Sequence, residues 1–448
     1  MQKKIYSNLF IGLSLFLVLS YCSKDQDEGP SPKNPEITSV KTFGGSKNDA
    51  AQSILKTSDG GYAVLGYTQS LNGDILDKSD ESFDYWMLKF DADNLMQWQK
   101  TFGGSLDDKG SDLLQTSDGG YIIFGSSKSS DGDLTNNAGD NDFWMVKLDS
   151  NGNIDWQKTF GFLGLDLGIT VIPTNDNGFL LSGVLDVTAS GGEGNSKLSS
   201  TKRHAGGDYW IIKLDASGTK QWSKYYGGTF TDTPYDAIQT PDNGFIIVGS
   251  SDSEDVDISS NRGSYDFWVL KVSEFGILEW EKSFGGSEID EAWGIEHSGD
   301  GNYLIVGDTR SMDQQISNNK GAADIWIIKI TPNGELIWEK TLGGSGFDAG
   351  RSISSTQEGN FIISGNSRSN DDDLTENKGQ NDAWIIKIDA NANIIWQKTV
   401  GGSMIDLAYD AAQLDNGKII AVGESSSTDA DITENKGFTD LLIINLNE

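Results

Sequence analysis

Cysteine is all but absent: Cys22 is the only one in 448 residues, which excludes an internal disulfide and a thiolate-based zinc site. Histidine is nearly as scarce, and His204 and His297 stand far apart, neither in a spacing that ligates metal. With no further cysteine and no histidine placed to activate a serine, the constellations of acyl transfer are missing. Carboxylates are too numerous to single out a glycosidase pair, and the chain reads as non-catalytic. Basic residues number 34 against 67 acidic, for a net charge of −33. Such a field repels nucleic acid and anionic lipid surfaces, so neither is an expected partner. Long apolar runs are missing too. The stretch from Leu9 to Leu19, behind Lys3 and Lys4, is short for a membrane span and has the charge order of a secretory signal.

Cys22 follows that stretch directly, in Leu19-Ser20-Tyr21-Cys22. The arrangement resembles the lipobox of bacterial lipoproteins, in which the cysteine is lipidated and becomes the mature N-terminus; Tyr21 departs from the small residue usual before it. The acidic Ser23-Lys24-Asp25-Gln26-Asp27-Glu28 that follows resembles the export tag of some surface-exposed lipoproteins of Gram-negative bacteria. Three prolines between Ser23 and Glu36 complete a tether composition. The expected organisation is a signal peptide over 1–21, a lipidated acidic tether over 22–35 and one domain over 36–448.

Repetition dominates that domain. Lys-Thr-Phe-Gly-Gly-Ser at Lys41 returns in recognisable form at Lys100, Lys158, Lys224, Lys282, Lys340 and Lys398, at nearly even intervals with one longer gap in the third unit. Even spacing over hundreds of residues means one supersecondary unit stacked seven times. In the second unit a strand near Asp112 to Thr116 leads through Ser117-Asp118-Gly119-Gly120 into Tyr121 to Gly125. After an Asp/Asn/Gly loop come Asp142 to Leu148, a turn at Ser150 to Asn153, and Ile154 to Lys158. Four short strands per unit and no helical period predict an all-β fold, a seven-bladed β-propeller of four-stranded antiparallel blades. The seventh unit ends after its third strand, whereas Glu36 to Phe43 matches a fourth strand with nothing before it. The N-terminal strand is therefore expected to close the last blade and leave no raw sheet edge at the seam.

Two tryptophan columns fit this plan: Trp86, Trp144, Trp210, Trp268, Trp326 and Trp384 on third strands, and Trp98, Trp156, Trp222, Trp280, Trp338 and Trp396 on fourth strands. Both read as packing between neighbouring sheets. The Gly44-Gly45-Ser46 start with Asp49, followed by Asp59-Gly60-Gly61-Tyr62, resembles the β-propeller repeats of bacterial secreted and surface lipoproteins. That resemblance implies a fold and says almost nothing of activity. Asp149 to Trp156 is also similar to the tryptophan-docking motif of quinoprotein dehydrogenase propellers, but the Asp-to-Gly spacing is one residue short and the blade count differs. No quinone cofactor is expected. Asp300 to Ile305 lacks the signature of bulb-type lectins.

Turn lengths divide the surface. Connections between strands one and two and between three and four are short, whereas those from two to three and from blade to blade are long, and long loops on a rigid scaffold are where function concentrates. An aspartate recurs at the start of each unit, at Asp49, Asp108, Asp166, Asp232, Asp290, Asp348 and Asp406, and reads as an acceptor for loop N–H groups. Acidic loops such as Asp131-Gly132-Asp133 and Asp371-Asp372-Asp373 read as solvated turns. Calcium is the one ion their chemistry would suit, without the EF-hand spacing. The third unit carries an insertion with Lys197, Lys202, Arg203 and His204, a basic cluster in an acidic chain, read as a flexible insertion or a contact for an anionic partner. Three residues past the loop aspartate one column varies: Gln52, Ser111, Ile169, Tyr235, Trp293, Arg351 and Tyr409. Tyr235, Trp293, Arg351 and Tyr409 are the candidate ligand-binding residues, at the mouth of the central channel, an aromatic patch with one arginine of hot-spot composition. The sequence thus points to a monomeric, outer-membrane or cell-surface lipoprotein, anchored only through Cys22, that binds a glycan or protein ligand without a cofactor. A structural propeller in an envelope assembly is the alternative, and a lyase or hydrolase at the channel mouth a more distant one.

Overall fold

In the computed structural model, residues 34–190 and 204–448 are described. The expected signal, Cys22 and its tether up to Lys33, and Lys197, Lys202 and Arg203 of the insertion lie outside them. The described residues form twenty-eight strands, β1 to β28, in seven four-stranded antiparallel sheets. Six blades are sequential: blade two, for example, runs β6 (Asp108–Gln115), β7 (Tyr121–Ser127), β8 (Asp142–Leu148) and β9 (Ile154–Phe160) from the inside out. The seventh combines β26 (Asp406–Gln413), β27 (Ile419–Ser425) and β28 (Asp440–Asn447) with β1 (Glu36–Phe43). β1 lies antiparallel to β28, from Glu36 opposite Asn447 to Phe43 opposite Leu441. The ring closes through its N-terminal strand, as the orphan strand in the sequence required.

Burial explains why third strands are mostly apolar and fourth strands are not. Every residue of Asp142–Leu148 is buried, because neighbouring blades cover both faces of the middle of each sheet. Ile154–Phe160, at the outer rim, is half-buried or exposed throughout. Four of the six third-strand tryptophans pack on an aromatic residue of the preceding blade: Trp144 on Tyr85 at 4.7 Å between ring centroids, and Trp210 on Phe143, Trp268 on Tyr209 and Trp326 on Phe267 at 4.6 Å. Each indole N–H is satisfied on the fourth strand, Trp86 by Gln99 and Trp326 by Glu339, so burial leaves no orphaned donor. The outer column packs against the core as expected, but less deeply. Trp396 is buried, but Trp98, Trp156, Trp222, Trp280 and Trp338 are half-buried, since the rim is covered only by the turn of the next blade.

Third strands also carry a lysine amid apolar residues, and its partner explains its place. Lys89, Lys213, Lys271 and Lys329 reach the turn aspartates Asp59, Asp176, Asp242 and Asp300 between strands one and two of their own blades, at 2.6–2.9 Å. Their charges are thereby paired rather than stranded in the sheet stack.

Candidate functional site

The innermost strands line the central channel: β2 (Asp49–Lys56), β6, β10 (Leu167–Pro173), β14 (Asp232–Gln239), β18 (Asp290–His297), β22 (Asp348–Ser355) and β26. In all seven the register against the second strand slips by one residue, and the residue left without a partner is Gln52, Ser111, Ile169, Tyr235, Trp293, Arg351 or Tyr409. The column that varies in sequence is the bulge residue of every blade. A bulge re-aims its extra side chain, here into a cavity of about 490 Å³ that all seven line. The bulge also corrects the sequence reading of blade two, whose first strand starts at Asp108 rather than near Asp112. The extra residue, Ser111, interrupts the two-residue alternation that marks a strand.

A glycine stands opposite each bulge, for a steric reason. A Cβ at Gly66 would lie 1.9 Å from the carbonyl oxygen of Ala50, and one at Gly307 1.9 Å from that of Glu291.

Three of the four candidate side chains stack. The Tyr235 and Trp293 rings are 3.9 Å apart between centroids, and the Arg351 guanidinium carbon lies 4.0 Å from the Trp293 ring centre. Tyr235 and Arg351 come from the blades on either side of Trp293, so the indole is flanked from both. Trp293 Nε1 donates to Asp308 at 3.0 Å and the Tyr409 hydroxyl to Glu424 at 3.0 Å, which fixes both rings. Arg351 is half-buried, and its Nε is buried without a hydrogen-bond partner among the described residues. Burial pushes the Glu291 carboxyl up, and that of Asp308 up to about 6, against the opposing pull of the Arg351 charge. Tyr409, in the next blade, lines the same cavity without joining the stack.

The residue after the bulge is Ser53, Thr170, Gly294 or Ser352 in four blades and an aspartate in three: Asp112, Asp236 and Asp410. Each bonds a backbone N–H of the next blade, Asp112 that of Val171 at 2.9 Å, Asp236 that of Ile295 at 2.9 Å and Asp410 that of Ile54 at 3.0 Å. Burial raises all three, Asp236 to about 8 and Asp410 to about 6, and Asp112 adds to the shift of the other two. They stitch the channel wall and sit in blades two, four and seven, never in neighbours.

On the long-loop face the repeated aspartates do the work expected of them. Asp49 accepts the Gly45 N–H at 2.7 Å and the Ser70 hydroxyl at 2.8 Å, and Asp290 accepts Gly286 and Ser311 alike. The acidic loops serve the same turns: Asp131 accepts the Ser105 N–H at 2.8 Å and Asp133 that of Gly103 at 3.1 Å. Among the described residues no group of three or more His, Cys, Asp or Glu could hold a metal ion. His204 does not belong to an exposed basic cluster. It is buried against Asp208 and faces Asp257 of the next blade at 3.8 Å. It occupies the position of Lys378 and Lys436, which pair with Asp431 and Asp74 of the blades that follow them at 2.7 and 2.9 Å.

No family model and no curated protein matches the chain. Solved structures similar to it include the WD40 domain of Pan2 from Neurospora crassa, with 9% identity, a TM-score of 0.49 and coverage of 92% of this chain and 96% of that one. Sqt1 from Chaetomium thermophilum shares 12% identity at a TM-score of 0.44, covering 87% and 82%. A DUF4221 family member from Bacteroides vulgatus shares 8% at 0.39, covering 93% and 99%. At such identities the likeness is one of fold alone.

Proposed function

We propose that the bulge residues at the channel mouth form a ligand-binding site, and that the chain is a non-catalytic binding module for a glycan or protein at the cell surface. The observation that carries this reading is the Tyr235–Trp293–Arg351 stack, lining the channel cavity with the Arg351 Nε unpaired. A stack fixed in advance loses little entropy on binding, and Trp, Tyr and Arg are the residues that most often dominate interfaces. Because Trp293 is already flanked by Tyr235 and Arg351, a ligand meets the stack edge-on and is held chiefly by offering a carbonyl or carboxylate to the guanidinium. A purely binding role is supported by the histidines: His204 is engaged with Asp208, and His297 packs on Tyr303 at the far end of β18 from the bulge. Surface attachment through Cys22 belongs to the same reading and rests on the lipobox-like sequence.

Trp293→Ala tests the site. A glycan array and a screen of surface proteins supply the ligand, and the variant should weaken it by about 1–3 kcal/mol while the melting temperature stays nearly unaltered. Unchanged affinity together with a loss of about 3–5 kcal/mol in stability would assign the stack to channel packing instead.

A further inference from the structure

On the short-turn face one pair of blades breaks the pattern of the rest. Asp91, Asp149, Asp215 and Asp389 open the turns between third and fourth strands and accept the N–H of the residue two further on, which is Asp93, Asn151, Ser217 or Asn391. In blade four these positions hold Ser273 and Phe275. The serine hydroxyl keeps the turn by accepting the Phe275 N–H at 3.3 Å, and Phe275 stands 64% exposed where the other blades present polar residues. An exposed ring in a position that is elsewhere polar is not required by the turn. The neighbouring turns between strands one and two deviate as well. Their left-handed position is glycine at Gly60, Gly119, Gly301, Gly359 and Gly417, but Asn177 and Asn243 in blades three and four, at φ 64° and 65°. Asparagine tolerates this conformation and brings an amide where glycine brings nothing. Asn243 Oδ1 accepts from Asn175 Nδ2 at 3.1 Å, tying the two turns together.

Two of these departures, Phe275 and Asn243, meet in one groove of about 710 Å³, lined also by Trp222, Asn175, Gln221 and Glu274. The Trp222 N–H is used on the Glu274 carbonyl at 2.9 Å, so what the indole offers the groove is apolar surface. Lys213, the cation in the wall, is spent on Asp176 at 2.8 Å and on the Leu214 carbonyl at 2.9 Å.

We propose that this groove between blades three and four is a second binding site and takes a neutral, hydroxyl-rich glycan segment. Phe275 and Trp222 supply apolar surface for the C–H face of a sugar ring, and the amides with the Glu274 carboxylate supply paired donors and acceptors for its hydroxyls. An anionic polysaccharide finds no free cation here and meets the field of a chain carrying −33. A peptide is the poorer fit, because Phe245 is buried in the wall and the exposed apolar surface is the Phe275 ring with the half-buried Trp222 indole, bordered by amides, with no succession of side-chain pockets. The site stands apart from the channel mouth and does not rest on it.

The test is calorimetric titration of the full chain with cellohexaose, laminarihexaose, mannohexaose and xylohexaose, and with polygalacturonate and a mixture of unstructured peptides as contrasts. At least one neutral oligosaccharide should bind. Phe275→Ala and Glu274→Gln should each weaken it about tenfold, the scale of one aromatic or charged contact, and Phe275→Tyr should retain it. Asn151→Ala, at the matching turn of blade two, should change nothing. Melting curves separate loss of the site from loss of the fold, and Phe275→Ala should melt as the parent does. Failure of all four oligosaccharides to bind at millimolar concentration, or binding indifferent to Phe275→Ala, would overturn the proposal. Phe275-dependent binding of polygalacturonate or of the peptides would overturn the assignment of ligand class.

Discussion

Asp410, on the innermost strand of the seventh blade, accepts the backbone N–H of Ile54 in the first at 3.0 Å, across the seam where the ring closes. The same seam is held at the rim by β1 on β28. An inner carboxylate clamp and an outer strand pairing thus fasten the two ends of the ring. The three clamping aspartates fall in blades two, four and seven, as far apart as three can be on a ring of seven. Like charges in a narrow, poorly solvated channel repel the more the closer they stand, and this spacing keeps that cost low.

Removing the outer fastening should be expensive. Deletion of Asn34 through Phe43 leaves β28 as a raw edge and uncovers the apolar surface on which Ile37, Val40 and Phe43 pack. At about 25 cal/mol per Å² of apolar surface, the loss amounts to several kcal/mol. A thermal melt reads it directly, and an unchanged, cooperative transition would show that β1 contributes nothing to closure.

The glycine opposite a bulge should tolerate no side chain. Gly307→Ala drives a methyl into the Glu291 carbonyl beside the Trp293 bulge, and overpacking of this kind costs about 1–3 kcal/mol. Ligand affinity at the channel mouth should fall with it, because the bulge that aims Trp293 must shift. Gly359→Ala, where a Cβ meets nothing within 4 Å, should cost only the strain of its left-handed backbone, about 1 kcal/mol. Denaturant melts of the two variants rank them.

Stability should rise as the solution is made mildly acidic. Burial lifts Asp232 and Asp236 to about 8 and Asp84 and Asp266 to about 7. Between the ordinary aspartate value and these, the folded chain holds protons that the unfolded chain has released, so stability falls as pH rises through that window and is recovered as pH drops. The melting temperature should therefore climb from about pH 8 to about pH 5. Further acidification has the opposite effect. Asp118, held down to about 2 by the Thr116 hydroxyl, the Gly120 N–H and Lys147, and Asp242, held there by Lys271 and Thr240, contribute stability that is lost as they protonate. A melting series across pH that rose monotonically toward alkali would contradict this balance.

Attachment to the membrane is tested at one atom. Cys22→Ser removes the thiol that would carry the acyl chains, and the variant should leave the membrane fraction for the soluble one, because acyl chains supply such affinity. Mass spectrometry of the parent should find lipid on Cys22, and an unmodified thiol there would refute the anchor.

Fold and site were legible to different degrees. Blade number, strand order and the closure by Glu36 to Phe43 could be read because repetition displays them directly. So could the loop aspartates, whose recurrence at Asp49 through Asp406 signals a structural task. The bulge could not be read, since a register slip belongs to the pairing of two strands; its trace in sequence was a varied residue at Tyr235 or Trp293, with a glycine such as Gly249 or Gly307 on the strand opposite. Lys89, Lys213, Lys271 and Lys329, each within an apolar run, were a visible signal of buried pairing with the turn aspartates that the sequence reading passed over. The clamping role of Asp112, Asp236 and Asp410 depends on the neighbouring blade and has no local signature. The groove at Phe275 was missed because short turns were read as uniform, when one of them held a phenylalanine in place of a polar residue.

With Glu36 lying opposite Asn447, the two ends of the ring are neighbours, and the order of blades along the chain is separable from their order in space. A chain opened between Asp186 and Gly207, and joined instead between Asn447 and Glu36, would contain the same strands with the same partners. The ring has a seam only because the chain must begin somewhere, and the seam could be moved without changing what any blade touches.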